Sequence, residues 1–185
     1  MVSRKEPNKS QIKNWLAFYN MIPSLFWSIL NIVPGFIYCY NNVEIKLLLL
    51  ISALSILPVF LRRSVLNKIQ LSKSTGIYRK LGVEYINRFT QNGVMVNRSM
   101  KKKFPQYKAL SYKRSSIAGL INQTYVFEKF HWFACVFFFM VTINALLQEQ
   151  FVWSFVILIN NIVYNIYPNL LQQYIRLRLK LFARK

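Results

Sequence analysis

The chain has 185 residues, a net charge of +20 and an apolar share of 54%, above the roughly 45–50% usual for soluble domains. Its only acidic residues are Glu6, Glu44, Glu84, Glu128 and Glu149, so aspartate-ligated metal sites and Ser/His/Asp triads are excluded. One histidine (His131) and two cysteines (Cys39, Cys135) are too few for a zinc site, and the aromatic share of 16% with only five glycines argues against a disordered chain.

In chain order, a basic N-terminus (residues 1–14) precedes an uncharged stretch, 15–40, interrupted by Pro23, Pro34 and Gly35. Prolines inside an apolar run predict either a kinked span or a re-entrant hairpin. Residues 45–61 form a second apolar run, with Lys46 near its start and Pro58 near its end. Residues 130–147 and 151–174 form the third and fourth, the last passing through Pro168. About 20 apolar residues cross the hydrocarbon core of a bilayer, and none of these runs has the polar face of a soluble helix. The expectation is an all-α integral membrane protein with four transmembrane helices. Its first membrane pair covers 15–61, a basic cytoplasmic segment 62–129, a second pair 130–174, and a basic tail 175–185. Of the 25 Lys and Arg residues, 24 fall in the two ends and the middle segment, whereas the short connections 41–44 and 148–150 carry only Glu44 and Glu149. The positive-inside rule then places both termini and the middle segment in the cytoplasm. Cys39 and Cys135 fall at opposite depths, which disfavours a disulfide.

Within the middle segment, Ile77, Leu81, Tyr85 and Phe89 recur every four residues, predicting an amphipathic helix over 76–90 that ends near Asn92-Gly93. Residues 117–127 place Ile117, Leu120, Ile121 and Thr124 on one helical face leading into the third span. Between them, Arg98, Lys101, Lys102, Lys103, Lys108, Lys113 and Arg114 alternate with Phe104, Tyr107 and Tyr112. Beside a bilayer, such a pattern points to anionic lipid headgroups rather than to nucleic acid.

Chemistry concentrates in the second pair. Glu128 and His131 are three residues apart on one helical face, the spacing at which a carboxylate orients an imidazole as general base. The alternative reading makes His131 and Trp132 boundary anchors. Asn160, Asn161, Asn165 and Asn169, followed by Gln172 and Gln173, form a polar seam in an apolar helix, which serves either helix packing or a lined cavity. Arg176 and Arg178 are either boundary anchors or a clamp for phosphate. The antiparallel connection brings His131 and residues 172–178 to the same end of the membrane pair.

The string Thr124-x-x-x-Glu128-x-x-His131-Trp132, then Asn165-x-x-Pro168 and Gln172-x-Tyr174-x-Arg176-x-Arg178-Leu179, with Tyr78-Arg79-Lys80-Leu81-Gly82-Val83 upstream, resembles the glycosyl-4,4'-diaponeurosporenoate acyltransferases. These are small bacterial membrane proteins of staphyloxanthin-type carotenoid synthesis. The resemblance covers roughly residues 47–179. Where that family tends to read Gln-Arg-Tyr-Asn-Arg, this chain has Gln173 and Ile175 in place of the first Arg and the Asn, and its leading span is extra. The resemblance implies a multi-pass protein of the bacterial cytoplasmic membrane that moves a fatty acyl group from acyl-CoA, a co-substrate rather than a bound cofactor, to a hydroxyl of a membrane glycolipid or glycosylated carotenoid. His131 and Glu128 would be catalytic, and Asn165, Gln172, Tyr174, Arg176 and Arg178 would bind substrate. The replaced residues and the extra span fit a second reading, a non-enzymatic subunit that binds a larger membrane protein.

Overall fold

The computed structural model describes residues 8–90, 93–107 and 114–183. Lys108, Tyr112, Lys113 and Asn92, singled out above, lie outside them. All regular structure among the described residues is helical. Helix α1 spans Lys9–Asn42, α2 Ile45–Ser55, α3 Arg63–Lys68, α4 Thr75–Lys80, α5 Val83–Ile86, α6 Val94–Lys103, α7 Arg114–Leu147, α8 Phe151–Asn161 and α9 Tyr167–Ala183. Leu57–Phe60 extends α2 as a 3₁₀ turn, and a π-helical turn, Ile162–Ile166, joins α8 to α9.

Among the described residues, three helices are long and apolar enough to cross a membrane, Ser10–Asn42, Ile117–Leu147 and Phe151–Ala183, and Ile45–Phe60 is a shorter apolar helix. Large apolar side chains cover their outer surfaces, Phe26, Phe36, Leu49, Phe139 and Phe155 among them. A surface of that kind marks a membrane protein.

The first apolar stretch is one continuous helix, not a hairpin, and Pro23 and Pro34 lie inside it. A proline leaves the carbonyl four residues earlier without its helical donor, and in an apolar medium that carbonyl needs another. For Pro34 the carbonyl is that of Leu30, which accepts from the Asn160 side-chain amide at 3.3 Å. Beside it, Gly35 lets α1 approach α7, because a Cβ built there would lie 2.5 Å from Cε1 of Phe138.

The predicted helix over 76–90 is broken. Gly82 takes a left-handed conformation (φ 73°) that separates α4 from α5, and residues 87–89 form a 3₁₀ turn. The break rotates the faces, so Ile77, Leu81, Tyr85 and Phe89 are exposed whereas Tyr78 and Val83 are buried. The helix over 117–127 forms as expected, continuous with the third span, with Ile117 and Thr124 buried.

Two apolar cores result. One, at the end where α1 meets α2 and α7 meets α8, contains Tyr38, Cys39, Ile51, Val141, Ala145 and Ile157. The other joins Tyr78 and Val83 to Leu171 and Tyr174, fastening α4 and α5 to α9. Cys39 and Cys135 are both buried and free. Along α8 and α9, Asn161, Asn165 and Asn169 fall between Ile157 of the first core and Leu171 of the second.

Replacing Asn160 with Leu is expected to cost about 0.5–1.5 kcal/mol of stability in detergent, the range for interhelical hydrogen bonds in membranes. In a Pro34→Ala background, where the Leu30 carbonyl regains a helical donor, the cost should shrink. A double-mutant cycle on reversible unfolding measures the difference.

Candidate functional site

Proline also shapes the seam. Pro168 cannot donate to the Tyr164 carbonyl, and its ring crowds that oxygen. The helix widens into the π-helical turn over Ile162–Ile166, a local form that recurs at functional sites. His131 of α7 lies near the Tyr164 carbonyl and the Asn165 side chain but closes no hydrogen bond to either, and its ring stands edge-on to that of Tyr164, with centroids 6.1 Å apart. The Tyr164 hydroxyl in turn pairs with the Ser28 hydroxyl of α1 at 3.1 Å.

The asparagine relay has a fixed direction. Asn161 donates its amide to the Cys135 backbone carbonyl at 3.0 Å, which turns its side-chain oxygen toward the Asn165 amide at 2.9 Å. Because a backbone carbonyl accepts only, both amides are oriented without ambiguity. The carbonyl oxygen of Asn165 is left over. It is buried without a hydrogen-bond partner, as are Oδ1 of Asn169, Oδ1 of Asn31 and Nδ1 of His131. Two donors, Nε1 of Trp132 and Nε of Arg176, are likewise buried and unpartnered. Buried polar atoms are nearly always paired, and the amide oxygens of Asn165, Asn169 and Asn31 are the ones here that can only accept.

One helical turn further along α7, Glu128 does not orient His131. Its carboxylate accepts from Arg176 Nη1 at 2.5 Å and from Gln173 Nε2 at 2.9 Å. Both members of the ion pair are fully buried. Arg176 also donates to Gln70 at 3.3 Å and lies over the Tyr125 ring, 4.2 Å from its centroid. Gln173 accepts from the Leu71 backbone amide at 3.1 Å and from the Tyr78 hydroxyl at 3.0 Å. Gln173 is therefore the hub joining α7, α9 and the connection between α3 and α4.

The expected pairing of Arg176 with Arg178 does not form. Residues two apart on a helix point in different directions, so Arg176 is sealed inside while Arg178 is exposed on the outer face of α9. Tyr174 is buried and gives its hydroxyl to Glu84, which also pairs with Arg79 Nε at 3.2 Å. Gln172 is half-buried on α9 and makes no hydrogen bond among the described residues. The structure thus divides the seven candidates. His131 and Asn165 face each other, Glu128 and Arg176 are locked together one turn away, Tyr174 holds α5, and Arg178 opens elsewhere. Gln173, Tyr78 and Gln70 were missed as partners of this network. Spacing along one helix could not reveal partners that come from α4 and from the connection before it.

The Tyr174 hydroxyl, with Arg79 and Arg178 beyond it, holds the Glu84 carboxyl below its usual value. A depressed carboxyl stabilises the fold above its unfolded pKa, and that stability is lost as pH falls through the lower folded value. Hydrogen-exchange protection of residues 75–86 should therefore fall in acid below the ordinary glutamate pKa of about 4.3. A Tyr174→Phe substitution should flatten that dependence.

At the buried pair, Glu128→Ala should cost about 3–5 kcal/mol because it strands a buried guanidinium, whereas joint replacement of Glu128 and Arg176 by Gln and Met should cost less. Chemical denaturation in mixed micelles compares the two.

A family model described as CrtO, glycosyl-4,4'-diaponeurosporenoate acyltransferase, matches residues 62–185. It contains every candidate residue of the seam and the buried network on α7 to α9, and it begins later than the resemblance at residue 47. The apolar helices α1 and α2 lie outside it. Neither the search of curated proteins nor that of solved structures gave a match. The match covers more than half of the chain, which therefore belongs to the glycosyl-4,4'-diaponeurosporenoate acyltransferase family.

Proposed function

We propose that this protein transfers a fatty acyl group from acyl-CoA on the cytoplasmic side to a hydroxyl of a membrane-embedded glycolipid or glycosylated carotenoid. The observation that carries this reading is the set of buried, unpartnered acceptors around His131, Asn165 and Asn169. Sugar hydroxyls are donors, and a seam with spare acceptors within the span of apolar helices complements them.

In this mechanism the acceptor hydroxyl is held by Asn165 and Asn169, and His131 removes its proton as the oxygen attacks the thioester carbonyl. Gln172 donates to the oxyanion. Collapse of the tetrahedral intermediate breaks the C–S bond, and His131 returns the proton to the leaving thiolate. The Glu128–Arg176–Gln173 network positions α7 against α9, so Glu128 contributes rigidity rather than a direct contact with the imidazole. Gln173 is complementary to Glu128 and Tyr78, which favours an intact enzyme over a degenerate subunit.

A four-span topology with cytoplasmic termini accompanies the proposal. Ile45–Phe60 is short, yet its ends are tied at two levels. Gln150 bonds Asn42 at 2.9 Å beside its start, and Lys129 bonds the Val59 carbonyl at 2.8 Å near its finish. Leu147 and Glu128 are 19 residues apart on α7, about 29 Å of helix, close to the hydrocarbon thickness. The buried network then lies at the inner boundary of a bacterial cytoplasmic membrane. The exposed apolar residues Ile77, Leu81, Tyr85 and Phe89, beside Arg79, Lys80 and Arg88, rest on anionic headgroups.

The test is acyl transfer from labelled acyl-CoA by protein in nanodiscs, together with mass spectrometry of lipids from a strain lacking the protein. Loss of one acylated glycolipid is expected. An unchanged lipid profile with a co-purifying membrane protein would instead support the subunit reading. His131→Ala should lower turnover by about 10²–10⁴ with the protein still folded and inserted. Near-parental activity of that variant sinks the mechanism.

A further inference from the structure

Arg178 lines a cavity of 280 Å³ with Thr75, Arg79, Leu181 and Phe182, where the tail of α9 passes the start of α4. Arg79 and Arg178 are both exposed. The acidic group beside them is Glu84, whose carboxylate pairs with Arg79 and also accepts the Tyr174 hydroxyl. Two guanidinium groups therefore face one shared carboxylate, and the cavity keeps a positive charge. Its other wall is apolar, with Leu181 and Phe182 each more than half exposed.

We propose that this cavity binds a phosphate-bearing amphiphile, with Arg79 and Arg178 holding the phosphate and Leu181 and Phe182 covering apolar atoms. Guanidinium forks match phosphate oxygens in pairs, and the Thr75 hydroxyl adds a donor at the same wall. The identity of the amphiphile rests on the acyltransferase reading. Arg178 is 13 residues from Asn165, about 20 Å along the helix. A donor held here by its phosphates reaches His131 only through a long flexible arm, the arrangement found in acyl-CoA. An anionic phospholipid headgroup presents the same chemistry without that arm, so the two sources separate experimentally.

The experiment titrates free CoA and, in parallel, soluble dihexanoyl phosphatidylglycerol into the full chain in phosphatidylcholine nanodiscs, followed by calorimetry. The joint variant Arg79→Gln/Arg178→Gln should weaken CoA binding about tenfold or more. A control, Arg62→Gln/Lys68→Gln, removes the same charge from exposed positions outside the cavity and should change binding far less. A loss confined to phosphatidylglycerol also upholds the cavity and identifies its ligand as a lipid headgroup. Equal binding by parent and arginine variant, equal losses in both variants, or a parent that binds neither probe overturns the proposal. Because binding is read without turnover, the two failures are distinguishable. A chain that binds CoA here but transfers no acyl group loses the acyltransferase reading alone, and one that transfers acyl groups without using this cavity loses the present inference alone.

Discussion

The interaction on which the rest of the structure depends is the buried ion pair between Glu128 and Arg176. Both charges are removed from water, and each would be severely destabilising alone. Their neutralisation requires α7 and α9 to meet at one register. The remaining hydrogen-bonding capacity of the pair then reaches outward, through Gln173 to Tyr78 and the Leu71 amide, and through Arg176 to Gln70. A segment rich in positive charge is fastened to the membrane helices by these bonds and by the small core of Tyr78, Val83, Leu171 and Tyr174, beside the buried Leu66, Val96 and Met100.

Above that pair, prolines decide where polar groups appear. In water a carbonyl freed by proline finds solvent, but inside apolar surroundings it must find protein. Pro34 draws Asn160 of α8 toward α1, and Pro168 opens the π-helical turn beside His131. The same residues that complicate the helices locate the seam. The relay Cys135–Asn161–Asn165 then fixes which end of each amide points where and leaves the Asn165 oxygen unpartnered.

In the proposed reaction, chemistry and anion binding consequently occupy different places. His131 and Asn165 face each other between helices, Arg176 is consumed by structure, and Arg178 with Arg79 opens on a separate charged cavity. The proposed reaction has a corresponding geometry, with phosphates held outside the hydrocarbon boundary and the acyl carbonyl delivered within it. Conserving rigidity at Glu128 while leaving Arg178 exposed suits a site whose two substrates arrive from different phases.

The sequence by itself determined the helical class, the long apolar helices and the concentration of polar chemistry in the second helix pair, because these follow from composition, run length and residue spacing. Spacing also foretold that Ile117 and Thr124 would be buried on the helix leading into the third span, because that helix is continuous. It failed over 76–90, where Gly82 turns the backbone left-handed and exchanges the buried face. Only the tertiary structure decided that Glu128 serves Arg176 rather than His131, that Gln173 is a hub, and that Arg176 and Arg178 part company. A residue's nearest charge three positions away along a helix competes with partners from other helices, and burial strengthens whichever pair excludes water most completely.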